Sequence, residues 1–348
     1  MKAGHYSGNR SGAILVIALW SLGILTILAS VLGVIVRQKI SLVSRLEEKD
    51  RIRFLVESEV RKALALLNTA SLKDDSNPSF HKTAYYNNEG QFRTTVGGID
   101  SHEISYDFFN DQGQRVAKRY GMMDEESKIN INTADATTLR YLMRSILKLE
   151  DEKAGQLATA IIDWREAGEG EMVGFYSDVY YDNLEYPYPK KNAPFEVIDE
   201  LCLVKGMDED LFKKLLPFIT VFGDGKVNIN TASRITLISS GLSENLVDKI
   251  LSLRRGNDRV EATEDDVMIQ NISDCKNELI KSFELTEDNS READTLITSG
   301  KFLTTSNYYF IQSRVNLNPL GRVDVVKCIY NVKDNKVEYW RDTVEEPG

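Results

Sequence analysis

The sequence contains few of the residues from which catalytic and metal sites are usually built. Its 348 residues include three cysteines and three histidines. Cys202, Cys275 and Cys328 form no CxxC pair, which excludes a zinc ribbon and a thioredoxin-type redox site. The sequence also lacks an HExxH motif, a GxSxG motif and a P-loop. We therefore do not expect an enzyme, and we interpret Cys202 as a buried structural thiol on the apolar face of a helix.

Basic residues are also fewer than acidic ones. Lysine and arginine number 43 against 53 aspartate and glutamate residues, which gives a formal net charge of −10. An acidic chain has no general electrostatic attraction to nucleic acid or to an anionic membrane surface. We therefore expect the partners to be proteins or cations, and we expect no nucleic-acid ligand.

One segment has no charged residue at all. Residues 13–36 include 15 Leu, Ile and Val among 24 positions. A helix of this length reaches about 36 Å, which is enough to cross a hydrocarbon core of about 30 Å. The segment is too long for the apolar part of a signal peptide, and it continues without a turn signal into an amphipathic pattern over residues 37–67. We predict one long helix that first spans a membrane and then becomes amphipathic.

Strand-like runs bracket a helical middle part. Residues 104–120 and 308–340 contain the β-rich runs, whereas the hydrophobic period between them is helical. We therefore predict an α+β fold in which a helix-plus-sheet domain, residues 37–126 and 291–348, packs its long helix on a small antiparallel sheet. A large all-α domain, residues 127–290, is predicted to be inserted into it.

A motif in the helical part occurs twice. Residues 129–134 read Ile-Asn-Ile-Asn-Thr-Ala, and residues 227–232, 98 positions later, read Val-Asn-Ile-Asn-Thr-Ala. We expect Asn132 and Asn230 to cap the helices that follow. The repeated units resemble helix-hairpin-helix or SAM-like modules, some of which bind nucleic-acid phosphates through a Gly-hydrophobic-Gly turn. These turns are incomplete and acidic here, and we interpret the basic cluster at residues 254–257 as a solvated helix end. A packing scaffold is therefore expected.

The N-terminus resembles that of type IV pilins and type II secretion pseudopilins. A short basic leader, residues 1–12, precedes the apolar span. In that family a prepilin peptidase cuts after the glycine and methylates the new N-terminus, which implies a processing site at Gly12 and Ala13. The fifth residue after this site is Ile17, where most pilins have Glu. Lack of this Glu is characteristic of the K-type minor pseudopilins, the general secretion pathway protein K family.

Further motifs resemble the same family in the same order. They are Lys128–Ala134, Ile161–Arg165, Asn192–Phe195 and Val221–Ala232. The resemblance implies a single-pass protein of the inner membrane with its bulk in the periplasm. It implies that minor pseudopilins of types I and J, the major pseudopilin and the prepilin peptidase are partners. The implied role is to initiate or cap the pseudopilus during protein export across the outer membrane. The alternative is a membrane-anchored DNA-binding protein similar to competence proteins.

Acidic residues are concentrated in one loop of the helical part. The candidate ligands there are Asp163, Glu166, Glu169, Glu171 and Asp178. Calcium takes about six to eight oxygen ligands, which such a cluster supplies. The family resemblance also implies calcium in this region. EF-hand spacing is absent from the sequence, so a solvated acidic loop remains the alternative.

Overall fold

The structure is a computed structural model that divides into two units, Met1–Leu55 and Val56–Gly348. It describes residues 10–70, 85–96, 100–110, 112–166, 178–259, 266–317 and 322–345. Residues 1–9 of the predicted leader lie outside the described residues, as do Glu169 and Glu171 of the acidic loop.

The first unit is part of one long helix, α1, Arg10–Ala70, which continues into the second unit. From Ile14 to Val36 each large apolar side chain is at least 42% exposed. The hydroxyl groups of Thr26 and Ser30 donate to helix carbonyls three and four residues earlier, at 2.8 Å, so they need no partner outside the helix. In the described part of the chain, α1 is the one helix long and apolar enough to cross a membrane. It fits the predicted single anchor.

In the second unit the remainder of α1 buries one face. Val56, Val60, Ala63 and Leu67 follow one another at steps of three and four, and all are at most 3% exposed. Such spacing places them on one side of a helix. The predicted amphipathic continuation of the helix is therefore confirmed.

The second unit contains one large antiparallel sheet and two short parallel pairs. Its strands are β1 (Arg93–Val96), β2 (Asp100–Phe109), β3 (Arg115–Tyr120), β4 (Met123–Asp124), β5 (Ile129–Asn130), β6 (Ile219–Thr220), β7 (Val227–Asn228), β8 (Phe302–Leu303), β9 (Tyr308–Leu317), β10 (Arg322–Asn331) and β11 (Lys336–Glu345). The large sheet has the order β1-β2-β9-β10-β11, with β3 paired to β2 and β4 to β9. The short pairs are β5 with β6 and β7 with β8.

Distant parts of the chain meet in the large sheet. On β2, Ser101 lies opposite Asn316 of β9, and Ile104 lies opposite Ser313. The hairpin predicted around residues 110–113 joins β2 to β3, and the predicted C-terminal meander is β9-β10-β11. Both predictions are confirmed.

Helix α1 lies on this sheet through polar as well as apolar contacts. Glu59 Oε1 is 3.0 Å from His102 Nδ1 on β2. Near the end of the helix, the Tyr330 hydroxyl of β10 donates to Asn68 Oδ1 at 2.8 Å. The helix-on-sheet packing that the sequence predicts is therefore present in the second unit.

The remaining helices of the described residues are short. They are α2 (Glu89–Phe92), α3 (Ala136–Leu147), α4 (Asp151–Arg165), α5 (Asp178–Asp182), α6 (Glu209–Leu215), α7 (Arg234–Ser239), α8 (Glu244–Arg254), α9 (Cys275–Ser282) and α10 (Glu287–Thr298). Helices α3 to α10 all lie in sequence between β5 and β8. Their buried side chains, among them Leu139, Ile161, Leu237 and Ile250, form one hydrophobic core. The prediction that residues 127–290 are all-α is wrong in one respect, because the short strands β5, β6 and β7 also lie in that range. Each is only two residues long, too short for a periodic pattern to show in the sequence.

The interpretation of Cys202 as a buried thiol is wrong. Cys202 is exposed, whereas Cys275 and Cys328 are buried and free. It lies in a 3₁₀ segment, Ile198–Leu203, instead of an α-helix. A 3₁₀ turn has about three residues, which changes which side chains face the core. Here Leu201 is fully buried and its neighbour Cys202 faces outward.

Candidate functional site

The first repeat motif follows β5, which pairs in parallel with β6. Asn132 lies just beyond β5, and its amide reaches two other segments. Its Nδ2 donates to the Phe195 carbonyl at 3.0 Å and to the Val221 carbonyl at 3.4 Å, and its Oδ1 accepts from the Phe195 N–H at 2.8 Å. The amide thus joins a loop to the residue that follows β6.

The second repeat motif repeats these contacts. Asn230 lies just beyond β7, which pairs in parallel with β8. Its Nδ2 donates to the carbonyls of Ile269 and Thr304, both at 2.9 Å, and its Oδ1 accepts from the Ile269 N–H at 3.0 Å. Thr304 follows β8 directly, as Val221 follows β6. The sequence repeat is therefore also a repeat in structure.

The expectation that Asn132 and Asn230 cap helices is wrong. The caps are the residues three positions later. Asp135 accepts from the Thr138 N–H at 2.8 Å before α3, and Ser233 accepts from the Thr236 N–H at 3.1 Å before α7. A helix cap needs only a hydrogen-bond acceptor, which Asp135 and Ser233 provide. A side chain that joins two segments must both donate and accept, and the asparagine amide does both.

A buried arginine completes each repeat. Arg165, at the end of α4, donates to the carbonyls of Ile131 and Ala134. Arg254, at the end of α8, donates to the carbonyls of Ile229 and Ala232, at 3.3 and 2.6 Å. These two pairs of carbonyls are also 98 residues apart. We call each set, Asn132 with Arg165 and Asn230 with Arg254, an Asn–Arg clamp.

The interpretation of residues 254–257 as a solvated helix end is wrong for Arg254. This side chain is 2% exposed, because it turns back into the core to satisfy the carbonyls of the repeat motif. Sequence reasoning missed both arginines. The signal was present, since α4 and α8 end with Ile161-Ile-Asp-Trp-Arg165 and Ile250-Leu-Ser-Leu-Arg254, each an isoleucine four residues before an arginine.

A buried carboxylate ties the second repeat to the sheet. Asp124 is at the end of β4 and is 2% exposed. Its Oδ2 accepts from Asn228 Nδ2 at 2.9 Å, from the Ser306 hydroxyl at 2.6 Å and from the Thr231 hydroxyl. Burial raises the pKa of Asp124, and these hydrogen bonds act in the opposite direction. We call this group the Asp124 node.

Glu126 lies beside the Asp124 node. Its Oε2 accepts from the Asn307 N–H at 2.6 Å. Burial raises the pKa of Glu126 to about 7, and the negative charges of Asp124 and Asp224 add to the increase. Glu126 is therefore a buried carboxyl group beside the node with a pKa near neutral pH.

We expect the stability of the protein to fall as the pH rises between about 4.5 and 7. In this window folded Glu126 keeps a proton that the unfolded chain has already lost, so a higher pH favours unfolding. Urea unfolding at pH 5 and pH 8 measures how much the free energy of unfolding falls between these pH values. We expect this fall to be smaller in Glu126→Gln than in the wild type. The expected difference is about 1–2 kcal/mol, after allowance for solvent screening.

A matched control for this measurement is Glu196→Gln. The Glu196 side chain is 85% exposed, so this change should leave the wild-type pH dependence unaltered. Identical pH dependence in wild type and Glu126→Gln would show that Glu126 is not the group responsible.

The acidic loop is only partly within the described residues. Asp163 Oδ1 lies 2.9 Å from Lys190 Nζ, and both side chains are about nine-tenths buried. Glu166 Oε1 lies 3.2 Å from Arg165 Nη2. Each of these two carboxylates therefore already faces a basic side chain, and the pair does not fit a cation site by itself. Across the described ranges, no group of three or more His, Cys, Asp or Glu side chains has the geometry to hold a metal ion.

Aromatic side chains hold the end of this loop on α4. The Tyr181 ring is fully buried and contacts the rings of Trp164 and Tyr188, with centroids 5.4 and 5.6 Å apart. The Tyr188 hydroxyl donates to the Leu203 carbonyl at 2.8 Å. The structure describes neither Glu169, Glu171 nor the side chain of Asp178, so these three candidate calcium ligands lie outside the described part of the chain.

A known protein family matches the part of the chain that contains the first repeat motif and the acidic loop. The model of a family described as type II secretion system (T2SS), protein K, matches residues 119–224. That range contains the first Asn–Arg clamp, the Asp124 node's carboxylate and the acidic loop. The resemblance to K-type pseudopilins is confirmed.

Curated relatives match over similar lengths. Type II secretion system protein K of Pectobacterium carotovorum is 29% identical over 108 residues, which is 31% of this chain and 33% of the relative. The protein of the same name from Aeromonas hydrophila is 37% identical over 89 residues, 24% of this chain and 27% of the relative. The matched part thus spans about a third or less of these relatives.

A solved structure matches over most of the chain. It is a chain in the crystal structure of the GspK-GspI-GspJ complex from the enterotoxigenic Escherichia coli type 2 secretion system. The TM-score is 0.61 and the identity 16%, and the match covers 86% of this chain and 99% of that one. At this identity the likeness concerns the fold. The predicted combination of a long N-terminal helix, an antiparallel sheet and additional helices is therefore confirmed.

Proposed function

We propose that the protein is a minor pseudopilin of the type II secretion system. It would be anchored in the inner membrane by residues 13–36, with its bulk in the periplasm, and would form the pseudopilus tip complex with minor pseudopilins of types I and J. This complex would initiate or cap assembly during protein export across the outer membrane. The family match over residues 119–224 is the observation that carries the proposal.

The arrangement of the second unit supports a structural role. We propose that residues 127–290 are an inserted, mainly helical domain that contains helix-hairpin-helix or SAM-like units, and that the two units with the repeat motif are closed by the two Asn–Arg clamps. The Asp124 node ties this domain to the sheet through Asn228 and Thr231. A bulky domain held firmly on a pilin-like sheet would obstruct the stacking of further subunits above it, which favours a position at the tip.

The DNA-binding alternative loses its main support. Arg254, the first residue of the basic cluster, is 2% exposed and donates to main-chain carbonyls, so it is not available to phosphate. We expect no shift of duplex DNA in a gel at physiological salt. Salt-dependent binding in the micromolar range would favour the DNA-binding protein instead.

Co-purification is the direct test of the proposed function. The full chain, solubilised in detergent, should form a stable heteromer with the type I and type J minor pseudopilins of the same cell. Failure to form any heteromer with either one would contradict the tip-complex role. The major pseudopilin and the prepilin peptidase are the further partners that we propose.

Processing can be tested separately. We propose that the prepilin peptidase cuts between Gly12 and Ala13. Mass spectrometry of the mature N-terminus should then find a chain that begins with methylated Ala13. An intact Met1 in cells that contain the peptidase would contradict membership of the pilin class.

Calcium in the acidic loop also stays a proposal, and it depends on Glu169, Glu171 and Asp178. If calcium binds only the folded protein, chelation with EDTA should lower the melting midpoint. The loss would correspond to about 3 kcal/mol when calcium is present at about 100 times its dissociation constant. Replacing Glu169 and Glu171 together with Gln should abolish the difference. An unchanged midpoint after chelation would exclude a structural calcium ion.

A further inference from the structure

A short linker without regular structure joins the two repeats. It consists of residues 221–226, between β6 and β7. Asn130 Nδ2 donates to the carbonyls of Phe222 and Gly223, both at 3.0 Å. The half-buried Phe222 ring also stacks on Tyr308 of β9, with centroids 6.4 Å apart. Side chains of the first repeat and of the large sheet therefore hold the linker in its packed position.

The carboxyl group of Glu126 lies between this linker and the segment before β9. Glu126 is 3% exposed, and a Cβ atom on Gly223 would come within 3.0 Å of Glu126 Oε1. The other oxygen, Oε2, accepts from the Asn307 N–H at 2.6 Å. One oxygen of the buried carboxyl group therefore faces the linker, and the other faces the segment before β9.

Titratable groups face Glu126 from the elements around it. They are Asp124 in β4, Asp224 and Lys226 in the linker, and Tyr308 and Tyr309 in β9. Burial raises the pKa of both tyrosines, so they stay neutral near pH 7. Lys226 Nζ is 2.8 Å from Asp224 Oδ2, so its positive charge is already paired. A negative charge on Glu126 would therefore meet the carboxyl groups of Asp124 and Asp224.

Of these two carboxyl groups, that of Asp224 is the one that can move away. Asp124 is held by the three hydrogen bonds of its node. Asp224 is exposed and follows Gly223, whose φ angle of +86° shows the conformational freedom of the linker backbone. We propose that Glu126 is a proton-controlled latch: with its proton it lets the linker pack against it, and without its proton it repels Asp224 and releases the linker.

The ionisation of Glu126 suits such a latch. Burial raises the pKa of Glu126 to about 7, so about a tenth of the folded molecules carry the charge at pH 6 and about nine-tenths at pH 8. An ordinary glutamate is charged at both pH values. The linker is accordingly packed at pH 6 and released at pH 8, while both repeats stay folded.

Fluorine NMR of the full chain in detergent tests this proposal. The probe is 4-fluorophenylalanine in place of Phe222. We expect its signal to shift as the pH rises from 6 to 8, with a midpoint near pH 7. The difference in shift between H2O and D2O measures the exposure of the ring to solvent, and it should be at least about twofold larger at pH 8 than at pH 6. An unchanged signal, or a transition without increased solvent exposure, would overturn the proposal.

Two variants separate the latch from other effects of pH. Glu126→Gln keeps an oxygen acceptor for the Asn307 N–H but stays neutral, so its fluorine signal should show no transition near pH 7. Glu196→Gln is the matched control, because the Glu196 side chain is 85% exposed, and it should keep the wild-type transition. The same transition in Glu126→Gln as in the wild type would contradict the latch.

Asp224→Asn tests the repulsion itself. Asparagine removes a negative charge from the linker and leaves Lys226 to act on Glu126 alone, so the midpoint of the transition should move to lower pH by about half a pH unit or more. An unmoved or higher midpoint would contradict repulsion by the linker. The measurement needs no partner protein, so the latch and the proposed tip-complex role can fail separately.

Discussion

Arg254→Ala is expected to lower the free energy of unfolding by about 3 kcal/mol. The guanidinium supplies the Ile229 and Ala232 carbonyls with hydrogen bonds inside the core. Alanine would leave these buried acceptors without that donor, and each lost partner costs about 1–3 kcal/mol. In thermal unfolding of the full chain in detergent, the midpoint should fall by about 6–12 °C.

Two further variants make this measurement specific. Arg254→Lys keeps the charge, but a compact ammonium group cannot reproduce the fork that spans both carbonyls, so it should restore less than half of the loss. Arg291→Ala is the matched control on α10, where the side chain is 76% exposed and pairs with Glu287 on the surface. It should change stability by less than about 0.5 kcal/mol. Equal effects of Arg254→Ala and Arg291→Ala would contradict the clamp.

Local patterns in the sequence predicted the elements well. The uncharged run of residues 13–36 and the spacing of Val56, Val60, Ala63 and Leu67 each depend on neighbours within one helix, and both agree with helix α1. The hairpin of β2 and β3 depends on a short turn, and it too was predictable. In these cases the periodicity of apolar residues carries the information.

Long-range partners were not predictable from one sequence. The repeat identified Asn132 and Asn230 as equivalent, but their partners Phe195 and Ile269 are 63 and 39 residues away along the chain. A capping role was the local alternative, and it was wrong because the asparagines bind other segments. Arg254 shows the same limit, since a charged residue at a helix end is ordinarily solvated and its burial depends on carbonyls 22 and 25 residues earlier.

Of the candidate site, too, only the local part was predictable from the sequence. Sequence reasoning located the acidic loop, but not that Lys190 approaches Asp163 to 2.9 Å. It gave no indication of the Asp124 node, because Asn228 and Ser306 are 104 and 182 residues from Asp124. Asp124 itself looks like any acidic residue of a polar segment. Asp124 becomes a buried hydrogen-bond acceptor only because the second repeat packs against the sheet.

The two Asn–Arg clamps differ in burial, so the same substitution should cost different amounts of stability in each. Asn230 is fully buried, whereas Asn132 is half-buried. Asn230→Ala would leave the Ile269 N–H and the carbonyls of Ile269 and Thr304 without this partner, in a place where water does not replace it. We expect a loss of about 3–4 kcal/mol in urea unfolding.

Asn132→Ala removes the equivalent three hydrogen bonds, but solvent can reach the site and partly satisfy the exposed groups, so a loss of about 1–2 kcal/mol is expected. Asn230→Asp keeps the acceptor for the Ile269 N–H and sets a negative charge against two carbonyl oxygens. It should therefore be at least as damaging as Asn230→Ala. If Asn132→Ala were the more destabilising of the two alanine variants, burial could not be what distinguishes the clamps, and the second repeat would owe its stability chiefly to Arg254 and the Asp124 node.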